Sequence, residues 1–235
     1  MDDLPPDLDD LMREIVEVPS PEVRLAGLSQ TREILERQLD ETRISELLRL
    51  RAKNRAEDAH SDDASLDEYE LEVQVTHLLP KVVRGGLILA LWSALEACTK
   101  DWAGYAATQT GRTLDRSHFR AGSFVDSSDR AFQSLLGISA YATQEVKTSL
   151  SRLAVIRAAL VHHNGNISAL PIDLRDGHLL TLEAEGLYSE RDLHHRYFVP
   201  SAGYVARNLS MVAEHLASLS ARVKVALQSS RKDGA

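Results

Sequence analysis

The chain has one cysteine, two tryptophans and four phenylalanines among its 235 residues, and each scarcity excludes something. A lone thiol, Cys98, rules out an intramolecular disulfide and any cysteine-based metal cluster. Its sequence neighbours are apolar, which marks it as a buried core thiol rather than a nucleophile. Aromatic residues make up only 5% while Leu, Ala, Glu and Arg are plentiful, a composition that favours helices. The longest strongly apolar run, GGLILALWSALEAC, is short for a membrane span and contains Glu96. The opening MDDLPPDLDD is acidic, the opposite of a secretory n-region, so a soluble, cytoplasmic protein with no membrane association is expected. There is no phosphate-binding glycine loop, nucleophile elbow or CxxC pair. The histidine pairs His162-His163 and His194-His195 lack the i, i+4 spacing of a zinc helix, so no metal and no cofactor are expected.

What is present is mostly apolar and charged residues at helical spacing. Hydrophobic content is 43%, ordinary for a globular protein able to bury a core at this length. The net charge of −8 is unevenly placed. Residues 1–20 hold seven acids against Arg13, which leaves only −2 for residues 21–235. Charge on the body therefore neither excludes nor favours an anionic ligand. The acidic head reads as a solvated end, with competition against an anionic substrate as the alternative.

Along the chain, Pro5 and Pro6 open a short helix near 7–17, and Ser20-Pro21-Glu22 starts a long amphipathic one reaching about residue 58. Within it, RISELLRLRAKNR sets five bases against Glu46. They fall on several sides, favouring a solvated face over an RNA-contacting strip. After the linker AHSDDAS a helix is expected at 65–79, with Pro80 as a break or kink. Residues 81–109 carry the stripe Leu87, Leu91, Ala94, Cys98, Trp102 and Tyr105, thickened by Ile88 and Trp92, and belong at the centre of a bundle. A polar connection holding Arg112, Arg116, Arg120 and Arg130 leads to helices at 129–137 and 142–163. GHLLTLEAEGLY and HHRYFVP suggest two short strands, Ser201 is the expected N-cap of a closing helix, and RKDGA reads as a tail. The expectation is one all-α domain. Residues 1–60 form an acidic tail and helical extension, 61–228 the bundle with a small two-stranded element, and 229–235 a disordered tail.

One stretch carries chemistry. In AVIRAALVHHNGNIS, Val146, Leu150, Leu153 and Leu160 make an apolar stripe on the 142–163 helix, and Arg157 falls within it. A buried guanidinium requires a partner, and Glu96, on the otherwise apolar 81–109 helix, faces the same requirement, so a Glu96–Arg157 pair is expected. By spacing alone such a pair is foremost a structural salt bridge. HHNGN is a helix stop with Gly165 suited to the left-handed position, where the helix dipole favours a protonated histidine. Capping histidines are common. An arginine with a histidine also suits metal-free RNA cleavage: histidine moves the 2′-OH or 5′-oxygen proton and arginine clamps the phosphate. Five residues of regular helix, however, separate Arg157 from His162 by about 140°. Either the last turn unwinds or the site draws on two chains. His163, rotated differently, is the alternative histidine.

IRAALVHHNG resembles the R-x(4–6)-H motif of the HEPN superfamily, with Arg157 and His162 in its two named places. ILALWSALEACTKDW is similar to that superfamily's helix bearing an acidic residue beside the motif, here Glu96. The resemblance spans roughly residues 70–225. It implies an all-α HEPN-type bundle, a homodimer with motifs facing across the interface, and RNA as substrate. It further implies a metal-independent endoribonuclease of toxin–antitoxin or phage-defence type, with an antitoxin or defence-system partner protein. Arg157 and His162 would be catalytic, with Glu96, His163 and Asn164 supporting. Ala158 stands where the family commonly has a polar residue. Other members are non-catalytic RNA-binding or protein-interaction modules, the alternative reading.

Overall fold

The run from Pro21 to Ala56 has no internal proline and a single glycine, and nothing in it interrupts the helical bond ladder. The computed structural model, which describes residues 20–56, 62–114, 123–163, 165–166, 187–191 and 196–233, makes it one unbroken helix, α1 (Pro21–Ala56). There follow α2 (Asp62–Val73), α3 (Leu79–Thr110), α4 (Phe124–Leu136), α5 (Gln144–His163), strands β1 (Leu187–Arg191) and β2 (Arg196–Pro200), and α6 (Ala202–Asp233). The described residues are overwhelmingly helical, as an all-α class requires. The short helix expected at 7–17, most of GHLLTLEAEGLY, and Arg116 and Arg120 lie outside the described residues. The expected tail is helical as far as Asp233.

Pro80 does not break its helix. A π-helical turn, Gln74–Leu78, joins α2 to α3, and the Leu79 N–H reaches back to the Gln74 carbonyl. Proline has no N–H and its ring crowds the preceding turn; the wider π turn just before it lets the chain continue helically. The resulting helix is longer than its apolar run suggests. Within Leu66–Thr110 an 18-residue window has a mean hydropathy of 1.5 and is 39% buried, so length and composition suffice for a membrane span. Core helices pass the same test, and neither location follows from it.

Contacts divide the chain into two compact units, and α3, α5 and α6 each contribute a stretch to both. The first comprises Met1–Leu25, Ser93–Ser151 and Met211–Ala235. Its core contains Leu95, Cys98 and Trp102 of α3, Phe132 of α4, and the α6 stripe Val212, Leu216, Leu219, Val223 and Leu227. The α6 steps of four, three, four and four keep one face inward. Cys98 is buried, as its neighbours suggested, and burial pushes its thiol up despite Arg24 nearby. Ser123 caps α4: its Oγ accepts the Asp126 N–H (3.1 Å) and donates to the Asp126 carboxylate (2.8 Å). This capping box starts the helix five residues before the expected 129. Arg112 donates to the Ser134 and Leu135 carbonyls at the other end of α4, satisfying groups no further turn can reach.

Below α4 a polar knot holds the 139–141 corner. Asp129 accepts from Ser139 Oγ (2.7 Å), the Ala140 N–H (2.9 Å) and Lys147 (3.3 Å). Burial pushes the Asp129 carboxyl up, but these hydrogen bonds outweigh it and hold the group below the usual range. From α6, Arg222 donates to the Ser139 and Ala140 carbonyls at 2.6 and 2.7 Å. His215 stacks on Tyr141 with centroids 5.3 Å apart, and the Tyr141 hydroxyl donates to the Val125 carbonyl.

The second unit comprises Ala26–Trp92 and Arg152–Ser210, so most of the helical extension belongs to it rather than standing apart. Leu39, Val75, Leu87, Ile88, Leu91, Leu153, Ile156, Phe198 and Tyr204 are buried there. Arg84 of α3 grips both Glu36 carboxylate oxygens of α1 at 2.9 and 2.7 Å, and also reaches the Pro200 carbonyl at 3.5 Å. One arginine thus ties α1, α3 and the end of β2. β1 and β2 pair antiparallel, with Leu187 opposite Pro200 and Ser189 opposite Phe198. Ser201 caps α6 as expected, its Oγ accepting the Tyr204 N–H at 3.0 Å.

Candidate functional site

The motif lies at the end of α5 in the second unit. The helix stays regular through His163, so its last turn does not unwind. Gly165 then takes φ 78°, the left-handed cap anticipated from HHNGN. Its N–H reaches the Ala159 carbonyl at 2.8 Å, and the Asn166 N–H reaches that of His163 at 2.8 Å. The Gly165 carbonyl accepts the Phe198 N–H at 2.9 Å, fastening the helix end to β2. A Cβ at residue 165 would lie 3.3 Å from the Phe198 oxygen and 3.5 Å from Lys81 Cε. Gly165 is therefore required twice, by its dihedral and by the closeness of β2. Gly165→Ala should cost about 1–2 kcal/mol in urea unfolding, the sum of left-handed strain and a tight contact.

Arg157 is placed differently from the expected stripe. In this unit α5 turns Leu153, Ile156 and Ala159 fully inward, at steps of three, while Leu160 and Arg157 are half-buried. Steps shorter than the 3.6-residue turn carry the buried line sideways, leaving Arg157 on its flank. Among the described residues its guanidinium makes no hydrogen bond or ion pair. Glu96 belongs to the first unit, is half-buried, and meets Lys100 one turn along α3 at 3.7 Å. Arg157 belongs to the second unit.

His162 and His163 are both exposed, their ring centroids 6.3 Å apart and their planes at 66°. Val161 beside them is also exposed, so the last turn of α5 presents itself to solvent. Ala158 is half-buried beside Arg157, and Asn164 lies outside the described residues. Comparison with family models, curated proteins and solved structures finds no match.

The basic strip of α1 is answered within the chain. Arg43 pairs with Asp40 (3.8 Å), Arg49 with Glu46 (3.7 Å), and Arg51 with Glu68 of α2 (3.2 Å). α2 itself carries six acids and no base. An open cleft of about 570 Å³ lies between the two helices, where Arg49 and Lys53 face Glu46, Asp67 and Glu70. Such a mixed lining repels a polyanion as much as it attracts one, so the strip behaves as a solvated face.

Arg84 and Asp129 organise their units, yet sequence reading singled out neither. For Asp129 a signal was available: Ser123-Phe-Val-Asp126 is a capping-box pattern that places the α4 start, and hence Asp129, correctly. Arg84 gave a weaker one, a charge entering the most apolar segment just before Gly85-Gly86.

Proposed function

We propose that this chain is a metal-independent endoribonuclease of HEPN type, a cytoplasmic toxin or phage-defence effector working as a homodimer on RNA. The observation that carries this reading is the Arg157 guanidinium, which has no hydrogen-bond or ion-pair partner among the described residues and stands five and six positions before the exposed His162 and His163 on an intact helix end. A structural arginine spends its donors inside the fold, as Arg84 and Arg222 do. Among the described residues Arg157 spends no donor in this way. In the proposed reaction His162 takes the proton from a ribose 2′-OH, whose oxygen attacks the adjacent phosphorus. Arg157 holds the non-bridging oxygens and stabilises the charge that gathers on them. The P–O5′ bond breaks and the leaving oxygen takes a proton from a second histidine, leaving a 2′,3′-cyclic phosphate and a 5′-OH. Because α5 is regular between Arg157 and His162, one chain holds them about 140° apart. Arg157 of one chain and His162 of another meeting at a two-fold interface removes that difficulty. Glu96, His163 and Asn164 have supporting places in this reading.

A second reading, a non-catalytic RNA-binding or partner-binding module, draws on Ala158, which offers no polar group beside Arg157, and on the neutralised strip of α1. The two separate on one assay. Purified protein incubated with structured and single-stranded RNA in EDTA should give fragments ending in 2′,3′-cyclic phosphate and beginning in 5′-OH. RNA bound but uncut at stoichiometric protein favours the binding module.

A further inference from the structure

The proposed cleavage needs two proton-moving groups at one phosphorus, and His162 is the first, the base. In-line displacement sets the attacking 2′-oxygen and the leaving 5′-oxygen on opposite sides of the phosphorus, so the acid must stand across the phosphate from His162. His163 follows it on α5, exposed like His162, its ring centroid 6.3 Å away and its plane turned by 66°. Successive side chains on a helix diverge by about 100°, so the two rings form an open wedge. Two hydrogen bonds of about 2.6–3.2 Å, one from each ring to oxygens on either side of one phosphorus, span a gap of that order. The His163 side chain makes no hydrogen bond or ion pair among the described residues. The other described histidines are placed less well. His215 is buried against Tyr141 in the first unit, and His77 is half-buried in the π turn.

We infer that His163 is the general acid of the site, supplied by the same chain as His162; this rests on the ribonuclease reading. The two-fold arrangement disfavours the other source. When one chain gives Arg157 and the other His162, the partner's His162 points about 140° away from the Arg157 that its own helix supplies. It serves the second site and not the first. In the step, His162 takes the 2′-OH proton as the O2′–P bond forms. The P–O5′ bond breaks, its electron pair goes to O5′, and the His163 imidazolium protonates that oxygen. His162 ends protonated and His163 neutral, and proton exchange with water restores both.

The test maps the linkage that the natural full-length protein cleaves in an oligoribonucleotide. That linkage is then remade with sulfur in the 5′-bridging position, a thiolate that leaves without being protonated. On the ordinary linkage His163→Ala and His163→Gln should each lose about 10²–10⁴-fold in rate. On the sulfur linkage both should cleave at close to the natural rate, while His162→Ala stays slow. Full activity of either His163 variant on the ordinary linkage overturns the inference. So does a loss that sulfur leaves unrepaired, or a repair seen for His162→Ala instead. Mixed dimers, tagged differently and purified through both tags, decide which chain supplies the acid. Arg157→Ala paired with His163→Ala should recover about half of the natural activity per dimer, and His162→Ala paired with His163→Ala should recover none. Recovery in the second pair puts the acid on the other chain and overturns the inference, as does no recovery in the first. A natural protein that cuts no RNA removes the ribonuclease reading and this inference together, whereas inactive His162→Ala beside fully active His163→Ala removes the inference alone.

Discussion

His162→Ala should abolish RNA cleavage while leaving the far-ultraviolet circular dichroism and the unfolding midpoint unchanged. The side chain is exposed on the last turn of α5 and makes no hydrogen bond or ion pair among the described residues, so little of the fold rests on it. Removing a general acid or base costs about 10²–10⁴-fold in rate. Arg157→Ala should cost a comparable factor by withdrawing the phosphate clamp, about 10²–10³-fold. Arg157→Lys should recover little, because an ammonium cannot reproduce the two-pronged contact. The corresponding result in cells is growth arrest on expression of the natural sequence and normal growth with either alanine variant. Arrest that survives both substitutions, with RNA intact, would remove the enzyme reading and leave the binding module.

Acidification should destabilise the first unit through a different histidine. His215 is buried against Tyr141, its Nδ1 lacks a hydrogen-bond partner among the described residues, and Arg222 lies on the same helix. Burial and, to a lesser degree, the Arg222 charge push its pKa down from 6.5 to about 4. In the unfolded chain the same histidine protonates near its ordinary value. Between the two values the unfolded state therefore binds more protons than the folded one, and stability falls as pH falls. The contribution is fully present above about 6.5 and is spent by about 4, where both states are protonated. Two and a half pH units at 1.36 kcal/mol each amount to about 3 kcal/mol. Urea unfolding of the natural protein at pH 7 and pH 4.5 should show most of this loss. His215→Phe, which keeps a ring against Tyr141 and removes the titration, should flatten the profile across that window. Asp126 and Asp129, held below the usual carboxylate range, add their own loss only at lower pH.

The two histidine sites differ in how visible they were. His162 and His163 stood out because they end a helix whose stop, HHNG, is written in local residue chemistry, and Gly165 took the dihedral that chemistry requires. His215 sits mid-helix in MVAEHLASL, three residues after Val212 and four before Leu219, so helical spacing places it on the inward face of α6 but does not say what it packs against. Its depth is set by Tyr141, 74 positions away in sequence and packed across it. The same contrast runs through the fold. Helix existence, the Ser201 cap and the buried Cys98 follow from spacing and neighbours, which are short-range properties. The π turn before Pro80 is a compromise between a proline and a helix held by packing on both sides, so the proline alone suggested a break. Arg157 was placed at the centre of its stripe because an ideal period was assumed. The buried line of α5 instead drifts by steps of three, and the arginine moves to the flank. With that shift the guanidinium leaves the fully buried line, and it makes no hydrogen bond or ion pair among the described residues.

The most direct measurement is complementation between two inactive chains. Arg157→Ala and His162→Ala proteins, co-expressed with different tags and purified through both, should cleave RNA although neither does so alone. In a mixed dimer one of the two composite sites keeps both groups, so the doubly purified species should recover about half of wild-type activity per dimer. Recovery at that level is the result predicted by a site shared between two chains. A mixed dimer as inactive as its parents would contradict it, and with it the reading of Arg157 and His162 as one catalytic unit.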